Sequence, residues 1–127
     1  MEDYLRVIFE LAKEKDEVKS IDIAKKLKIS KASVSEMLRK LASKRLVSIK
    51  PYSKLKLTSK GREKAEKLYK KHSIIRSFMN KLLKDEEKAE EESHKLEHAF
   101  SFDSAEILNN ILEGKRKIIE EPLEYIG

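Results

Sequence analysis

The segment from Ser20 to Leu46 constrains the fold more than any other part of the chain. Apolar residues recur at helical spacing in its first part, and the polar turn Lys28-Ile29-Ser30 separates them from a second apolar pattern. Two short helices joined by about four residues form a helix-turn-helix, whose second helix can enter the major groove of DNA. The outward side chains of this second helix can hydrogen-bond phosphates or base edges, and they are Ser30, Lys31, Ser33, Ser35, Glu36, Arg39 and Lys40.

The residues that follow predict a short β-hairpin. Val47 and Ile49 alternate with polar residues, and the sequence Pro51-Tyr52-Ser53 is typical of a turn. A hairpin directly after a helix-turn-helix forms the wing of a winged helix. The wing residues expected to contact DNA are Lys50, Tyr52, Lys54 and Lys56.

Helical spacing of apolar residues predicts further helices on both sides of this motif. The expected ranges are residues 2–15, about 59–83, roughly 85–99 and 104–113. A serine is expected to cap the long helix, Asp85 and Asp103 to begin the last two helices, and Gly114 to end the last. The predicted fold class is mainly α: a winged helix-turn-helix DNA-binding lobe over residues 1–70, followed by an α-helical lobe over residues 71–127.

Charge is distributed unevenly along the chain. It carries 29 Lys and Arg residues against 23 Asp and Glu residues, a net charge of +6. Residues 1–71 hold 21 basic and 10 acidic residues, whereas residues 72–127 hold 8 and 13. Thermophile proteins are often rich in Lys and Glu, which would explain the 41% of charged residues but not their segregation. The first lobe is therefore expected to face a polyanion such as DNA.

Composition excludes several kinds of site. The chain has no cysteine, so it offers no disulfide, thiolate nucleophile or thiolate metal ligand. No apolar run reaches the roughly 18 residues of a membrane span, and the acidic, amphipathic N-terminus differs from a signal peptide. We therefore expect a cytoplasmic protein.

Two of the three histidines lie in the segment His94-Lys-Leu-Glu97-His98. On a helix these three side chains would share one face within one turn. Two imidazoles and a carboxylate form a ligand set for a divalent metal ion. A solvated polar face with an internal His–Glu pair is the alternative explanation. His72, on the long helix, and Asp3, on the first helix, are unremarkable when each is taken alone.

Taken together, these residues resemble the DtxR/MntR family of metal-dependent transcriptional repressors. The opening MEDYLRVIFEL, the helix-turn-helix, the wing ending in LKLTSKGREKA, the helix with KKHSIIRSF and the segment HKLEHAFS occur in family order and near family spacing. The resemblance covers nearly the whole chain and corresponds to the short form without the SH3-like domain. It implies a homodimer in which the winged helix is followed by a helical dimerisation lobe, with metal bound between them.

The resemblance also implies five metal ligands, at Asp3, His72, His94, Glu97 and His98. Arg6 stands where the manganese branch has a second carboxylate; a cation cannot coordinate metal there and can pair with Asp3 instead, which argues against a two-metal site. Asp3 and His94 replace the softer Met and Cys ligands of the iron-sensing branch. This harder set favours Mn²⁺ or Fe²⁺ in the cell, while Zn²⁺ or Co²⁺ could occupy the site in vitro.

The implied mechanism couples metal binding to the geometry of a dimer. Metal joining Asp3 to the later ligands would fix the angle between the lobes, and hence the spacing of the two recognition helices on a palindromic operator. The basic residues of the second helix and of the wing are expected to contact DNA phosphates. Ser33, Ser35 and Glu36 are expected to contact base edges, although Glu36 could equally be a solvated residue of the helix. The family implies repression of metal-uptake genes.

Two other functions remain open from the sequence. A metal-independent winged-helix regulator would share the DNA-binding surface and differ only in its regulation. The His-x-x-Glu-His pattern also occurs in zinc peptidases, although we expect a regulator rather than an enzyme. Apolar residues of the last helix are expected at the dimer interface or in an intramolecular core, namely Ile107, Leu108, Ile111 and Leu112.

Overall fold

The computed structural model describes residues 2–15, 17–52 and 54–115, which form α-helices and short β-strands. The elements are α1 (Glu2–Glu14), β1 (Val18–Lys19), α2 (Ser20–Leu27), α3 (Lys31–Ser43), β2 (Val47–Lys50), β3 (Lys54–Leu57), α4 (Ser59–Leu83), α5 (Glu86–Ala99) and α6 (Phe102–Leu112). The chain divides into two compact units, residues 1–70 and 71–127. The fold is mainly α and contains a winged helix-turn-helix, which confirms the predicted fold class. Among the described residues, no helix has the length and apolar character needed to cross a membrane.

The helices of the first unit pack around a core of buried aliphatic side chains. Leu5 and Ile8 come from one face of α1, Ile23 from α2 and Leu41 from α3, and each is completely buried. Burying a side chain of this size contributes about 1.5–3 kcal/mol to the free energy of unfolding. This core fixes α3 by its apolar face, so that its polar face is presented to solvent.

The first unit also contains an antiparallel sheet with the strand order β1-β3-β2. Strands β2 and β3 form the predicted hairpin, with Val47 opposite Leu57 and Ile49 opposite Leu55. Strand β1 was not predicted; it pairs with the other edge of β3, where Val18 lies opposite Leu55. Two residues are too few to show an alternating pattern, and this is why the sequence did not reveal the strand.

Side-chain caps define where the helices begin. Ser30 caps α3, and Asp85 caps α5 as predicted. Two predicted caps were wrong. Thr58, rather than a serine, caps α4, and Ser101, rather than Asp103, caps α6. In both helices the predicted residue already has helical geometry, whereas a capping oxygen must come from the residue before the first turn.

The second unit packs the end of α4 against α5. Ile75 and Met79 of α4 and Ala89 of α5 form its buried cluster, and partly buried aromatic and aliphatic side chains surround them. The aliphatic part of Lys71 is buried as well, while its ammonium group donates a hydrogen bond to the carbonyl of Phe100 at 3.1 Å. These contacts hold α4 and α5 side by side along the segment that carries the histidines.

Candidate DNA-binding surface and metal centre

Helix α3 presents polar side chains along the face opposite its buried residues. Val34, Leu38 and Leu41 are buried at helical spacing, which turns the intervening residues outward. Every α3 residue predicted to contact DNA is exposed, namely Lys31, Ser33, Ser35, Glu36, Arg39 and Lys40, together with the cap Ser30. The structure therefore places the predicted set on one accessible surface.

Four of these residues already interact with one another, in two pairs. The Oγ of Ser30 accepts a hydrogen bond from the backbone N–H of Ser33 at 3.1 Å and lies 2.9 Å from the Oγ of Ser33. Glu36 forms a long ion pair of 4.0 Å with Lys40. Ser35 forms no side-chain hydrogen bond within the described residues, so its hydroxyl group is available to a base or a phosphate.

The wing combines lysines with an exposed aromatic tip. Lys50 and Lys54 lie opposite each other across the hairpin, and Lys56 follows on β3. Tyr52 at the tip is 91% exposed and has a φ of 63°; Ser53, the next residue of the predicted turn, lies outside the described residues. Like charges opposite one another destabilise a strand pair. A polyanion bound to the wing would relieve that repulsion.

The second unit brings His72 of α4 together with Glu97 of α5. The Nδ1 of His72 is in hydrogen-bond contact with the Oε1 of Glu97. Glu97 is buried, with 6% of its surface exposed, and a buried carboxylate needs a partner to offset the loss of its hydration. A carboxylate against one ring nitrogen also fixes the orientation of the imidazole, an arrangement common around metal-binding histidines. The Nε2 of His72 remains suitable for binding a metal.

His94 and His98 form a second pair, on the exposed side of α5. Their ring centroids lie 5.0 Å apart with nearly perpendicular planes, and we call them the imidazole pair. The sequence predicted that His94, Glu97 and His98 share one face of the helix, and the structure shows this only in part. Glu97 turns inward because it continues the buried stripe of Ala89 and Ser93, whereas both histidines remain exposed.

The fifth predicted ligand, Asp3, lies half-buried in the first turn of α1. Arg6 does not pair with it, contrary to the expectation from the sequence. The Nη1 of Arg6 instead binds the Oε1 of Glu10 at 2.8 Å, and Lys26 of α2 approaches the other oxygen of Glu10 at 3.5 Å. Arg6 thus belongs to an ion-pair network that connects α1 with α2.

The available donor atoms are chemically suited to a divalent transition metal. Imidazole nitrogen and carboxylate oxygen bind Mn²⁺ and Fe²⁺, and they also accept Zn²⁺ and Co²⁺. A sulfur ligand is absent from the predicted set, so this chemistry does not favour a soft metal such as Cu⁺.

Comparison with known proteins agrees with this division of roles. Residues 1–55 match the iron dependent repressor N-terminal DNA binding domain, and residues 58–117 match the iron dependent repressor metal binding and dimerisation domain. The chain is 39% identical over 115 residues to the HTH-type transcriptional regulator MJ0568 of Methanocaldococcus jannaschii, covering 89% of this chain and 92% of the relative. It is 31% identical over 113 residues to the regulator MntR of Bacillus subtilis, covering 89% and 80%. The chain belongs to the iron-dependent repressor family.

The structure of the manganese regulator SloR shows the same fold, with 34% identity and a TM-score of 0.74. The match covers 92% of this chain and 54% of that of SloR, so this chain spans about half the length of the solved relative. As a member of the iron-dependent repressor family, the chain is a DNA-binding transcriptional regulator with a divalent metal cofactor and a dimerisation domain. The peptidase alternative is rejected, because the family consists of regulators and not of enzymes.

Sequence reasoning missed one charged residue beside the wing. Glu17 immediately precedes β1, and its Oε2 lies 3.2 Å from the Nζ of Lys54. The hydrogen bond from Lys54 and the charge of that lysine hold the pKa of the Glu17 carboxyl below its ordinary value, with smaller contributions from Lys56 and Lys50. Only the pairing of β1 with β3 brings this carboxylate to the wing, and the sequence gives no signal of that pairing.

Proposed function

We propose that this regulator binds a palindromic operator as a dimer when Mn²⁺ or Fe²⁺ is present, and so represses genes of metal uptake. The observation that carries the proposal is the contact of the buried Glu97 with His72, inside the unit that matches a metal-binding and dimerisation domain. A cytoplasmic location accords with a role on DNA.

The proposed metal ligands are Asp3, His72, His94, Glu97 and His98. The contact of His72 with Glu97 and the closeness of the imidazole pair support four of them. Asp3 is included on the resemblance of its position to that of a family ligand. We propose one metal ion per chain, because Arg6 is a cation engaged with Glu10 and offers no ligand atom.

A bound metal supplies a link between ligands that are far apart in the sequence. Under this proposal Asp3, in the DNA-binding unit, and the ligands of α5 are engaged together in the DNA-competent arrangement of the dimer. That arrangement therefore binds metal more tightly and becomes more populated when metal is present. Its two recognition helices lie about one DNA turn apart, roughly 34 Å, or a multiple of that distance.

On DNA, the basic side chains are assigned to phosphates and three α3 residues to base edges. Phosphate contacts make the affinity fall steeply as salt concentration rises. The proposed phosphate ligands are Lys31, Arg39, Lys40, Lys50, Lys54 and Lys56. The proposed base contacts are Ser33, Ser35 and Glu36, where Glu36 would accept a hydrogen bond from a cytosine amine. Ser30 and Tyr52 are proposed to contact the sugar-phosphate backbone of the DNA.

The proposal is tested by capturing random genomic fragments with metal-stripped protein, in parallel with excess Mn²⁺ and with EDTA. We expect a shared palindrome to be enriched with Mn²⁺ alone. The His98→Ala variant should lose this enrichment, whereas Lys95→Ala, an exposed change on the same helix, should keep it.

The same experiment distinguishes the proposed metal-dependent regulator from a metal-independent one. Equal enrichment of a palindrome with Mn²⁺ and with EDTA would leave a winged-helix regulator without metal control. Retention of full Mn²⁺-stimulated binding by both His98→Ala and Asp3→Ala would rule out the proposed coupling mechanism.

A further inference from the structure

A cleft of about 310 Å³ lies between α3 and the sheet of the first unit. Arg39 of α3 and Lys54 of β3 both line it, and so do the hydroxyl-bearing residues Ser20 and Ser35. The buried side chains of Leu38 and Leu55 form the apolar part of its lining. Two cations and two hydroxyl groups around such a space are suited to an oxyanion.

The position of the cleft indicates which oxyanion it accepts. Arg39 and Ser35 belong to the exposed face of α3, and Lys54 belongs to the wing, so the cleft is continuous with the proposed DNA-binding surface. Within the described residues Arg39 forms no ion pair or hydrogen bond, which leaves its five N–H donors available. A phosphate group of the DNA backbone meets both requirements, of charge and of location.

Lys54, the second cation of the cleft, is already engaged by a carboxylate. Glu17 lies 3.2 Å from its ammonium group, and the two side chains are 40% and 41% exposed, so solvent and ligands can reach the pair. The strands β1, β2 and β3 carry lysines and no acidic residue. Among the described residues, Glu17 is the carboxylate that forms an ion pair with one of these lysines. In the free protein Glu17 supplies to Lys54 the negative charge that a phosphate would otherwise supply.

We propose that the cleft receives one phosphate group of the DNA backbone, and that Glu17 competes with this phosphate for Lys54. This inference rests on the proposed function, in which the partner is DNA. Since every DNA sequence presents the same phosphates, Glu17 weakens binding to all sequences alike. Discrimination between operators and other DNA is then left to the base contacts of α3.

The test compares Glu17→Gln with the unmodified chain in excess Mn²⁺, on a captured fragment and on a shuffled sequence. We expect the affinity for both DNAs to rise by about two- to fivefold, the range of an exposed ion pair that no longer has to be broken. The ratio of the two affinities should stay unchanged. Glu66→Gln is the matched control, because it removes the same charge from an exposed position on α4. Glu66 forms no ion pair with a wing lysine in the part of the chain that the structure describes.

A second comparison tests whether the effect passes through Lys54. In a Lys54→Met background, Glu17→Gln should change affinity no more than Glu66→Gln does. Arg39→Met should weaken binding to both DNAs and reduce the slope of log affinity against log salt by about one, as expected for a lost phosphate contact. Thermal unfolding of each variant shows whether the fold is retained.

The outcomes distinguish the inference from the function on which it rests. If the unmodified chain with Mn²⁺ binds neither DNA, the proposed function fails and the inference fails with it. If the chain binds DNA but Glu17→Gln behaves like Glu66→Gln, or keeps its effect without Lys54, the competition is refuted and the function stands. A change in the affinity ratio would instead make Glu17 a determinant of sequence specificity and would equally refute the proposal.

Discussion

Glu97 is a buried carboxylate in the proposed metal centre, in contact with His72. Glu97→Gln keeps the volume and a hydrogen-bonding group against His72 but removes the negative charge. Because ligand charge stabilises a bound cation, we expect the affinity for Mn²⁺ to fall by at least about tenfold. The free Mn²⁺ signal in an electron paramagnetic resonance titration measures this affinity directly.

Glu86→Gln provides the comparison for that experiment. It makes the same chemical change on the same helix, at an exposed residue of the first turn of α5. Its Mn²⁺ affinity should equal that of the unmodified chain. Equal losses in the two variants would show a general effect of charge and would remove Glu97 from the set of ligands.

The site residues differ in how far the sequence could predict them. The spacing of His94, Glu97 and His98 follows from helical periodicity, which is local and therefore readable. The burial of Glu97 depends on the packing of α4 against α5, which local spacing does not contain. Arg6 was expected to pair with Asp3 but pairs with Glu10, which lies one turn further along the same helix.

At the scale of elements, the first turn of α4 packs closely against the segment that follows α3. A Cβ atom added at Gly61 would lie 1.8 Å from the carbonyl oxygen of Leu46. That oxygen also accepts the backbone N–H of Thr58 at 3.1 Å, so it cannot move without loss of this bond. Gly61→Ala should lower the free energy of unfolding by about 2 kcal/mol or more, as measured by urea denaturation.

Gly114 serves as the comparison for Gly61, because it is constrained by its backbone conformation and not by neighbouring atoms. A Cβ atom there would meet no atom within 4 Å, but the residue has a φ of 74° at the end of α6. Gly114→Ala should therefore cost about 1 kcal/mol, from backbone conformation alone. A loss for Gly61→Ala no larger than that for Gly114→Ala would contradict the close approach at Leu46.

The elements themselves were predicted to different degrees, for physical reasons. The boundaries of α4 and α5 agree closely with expectation, because each helix shows apolar periodicity over several turns. The strand β1 was not foreseen, since its pairing is set by contacts with β3 rather than by its own two residues. The caps of α4 and α6 differ from prediction by one and two residues, because several Ser, Thr and Asp side chains compete near each helix start.

For the whole molecule, the segregation of charge and the family match assign different tasks to the two units. The basic half matches a DNA-binding domain, and the acidic half matches a metal-binding and dimerisation domain. A dimer is needed for two recognition helices to read two half-sites at once. We propose helix α6 for the dimer interface, because Ile107 and Leu112 are 39% and 43% exposed although both are large and apolar.

Replacing one of these apolar residues should separate dimerisation from folding. Ile107→Asp places a charge on the proposed interface, where a hydrated carboxylate would have to be buried. We therefore expect the dissociation constant of the dimer to rise by at least about tenfold. Sedimentation equilibrium with excess Mn²⁺ measures this change, and operator affinity should fall with it because a monomer contacts one half-site. Asn80→Asp adds the same charge at an exposed polar position of α4 and should leave both quantities unchanged. A stable Ile107→Asp dimer with full operator affinity would move the interface away from this face of α6.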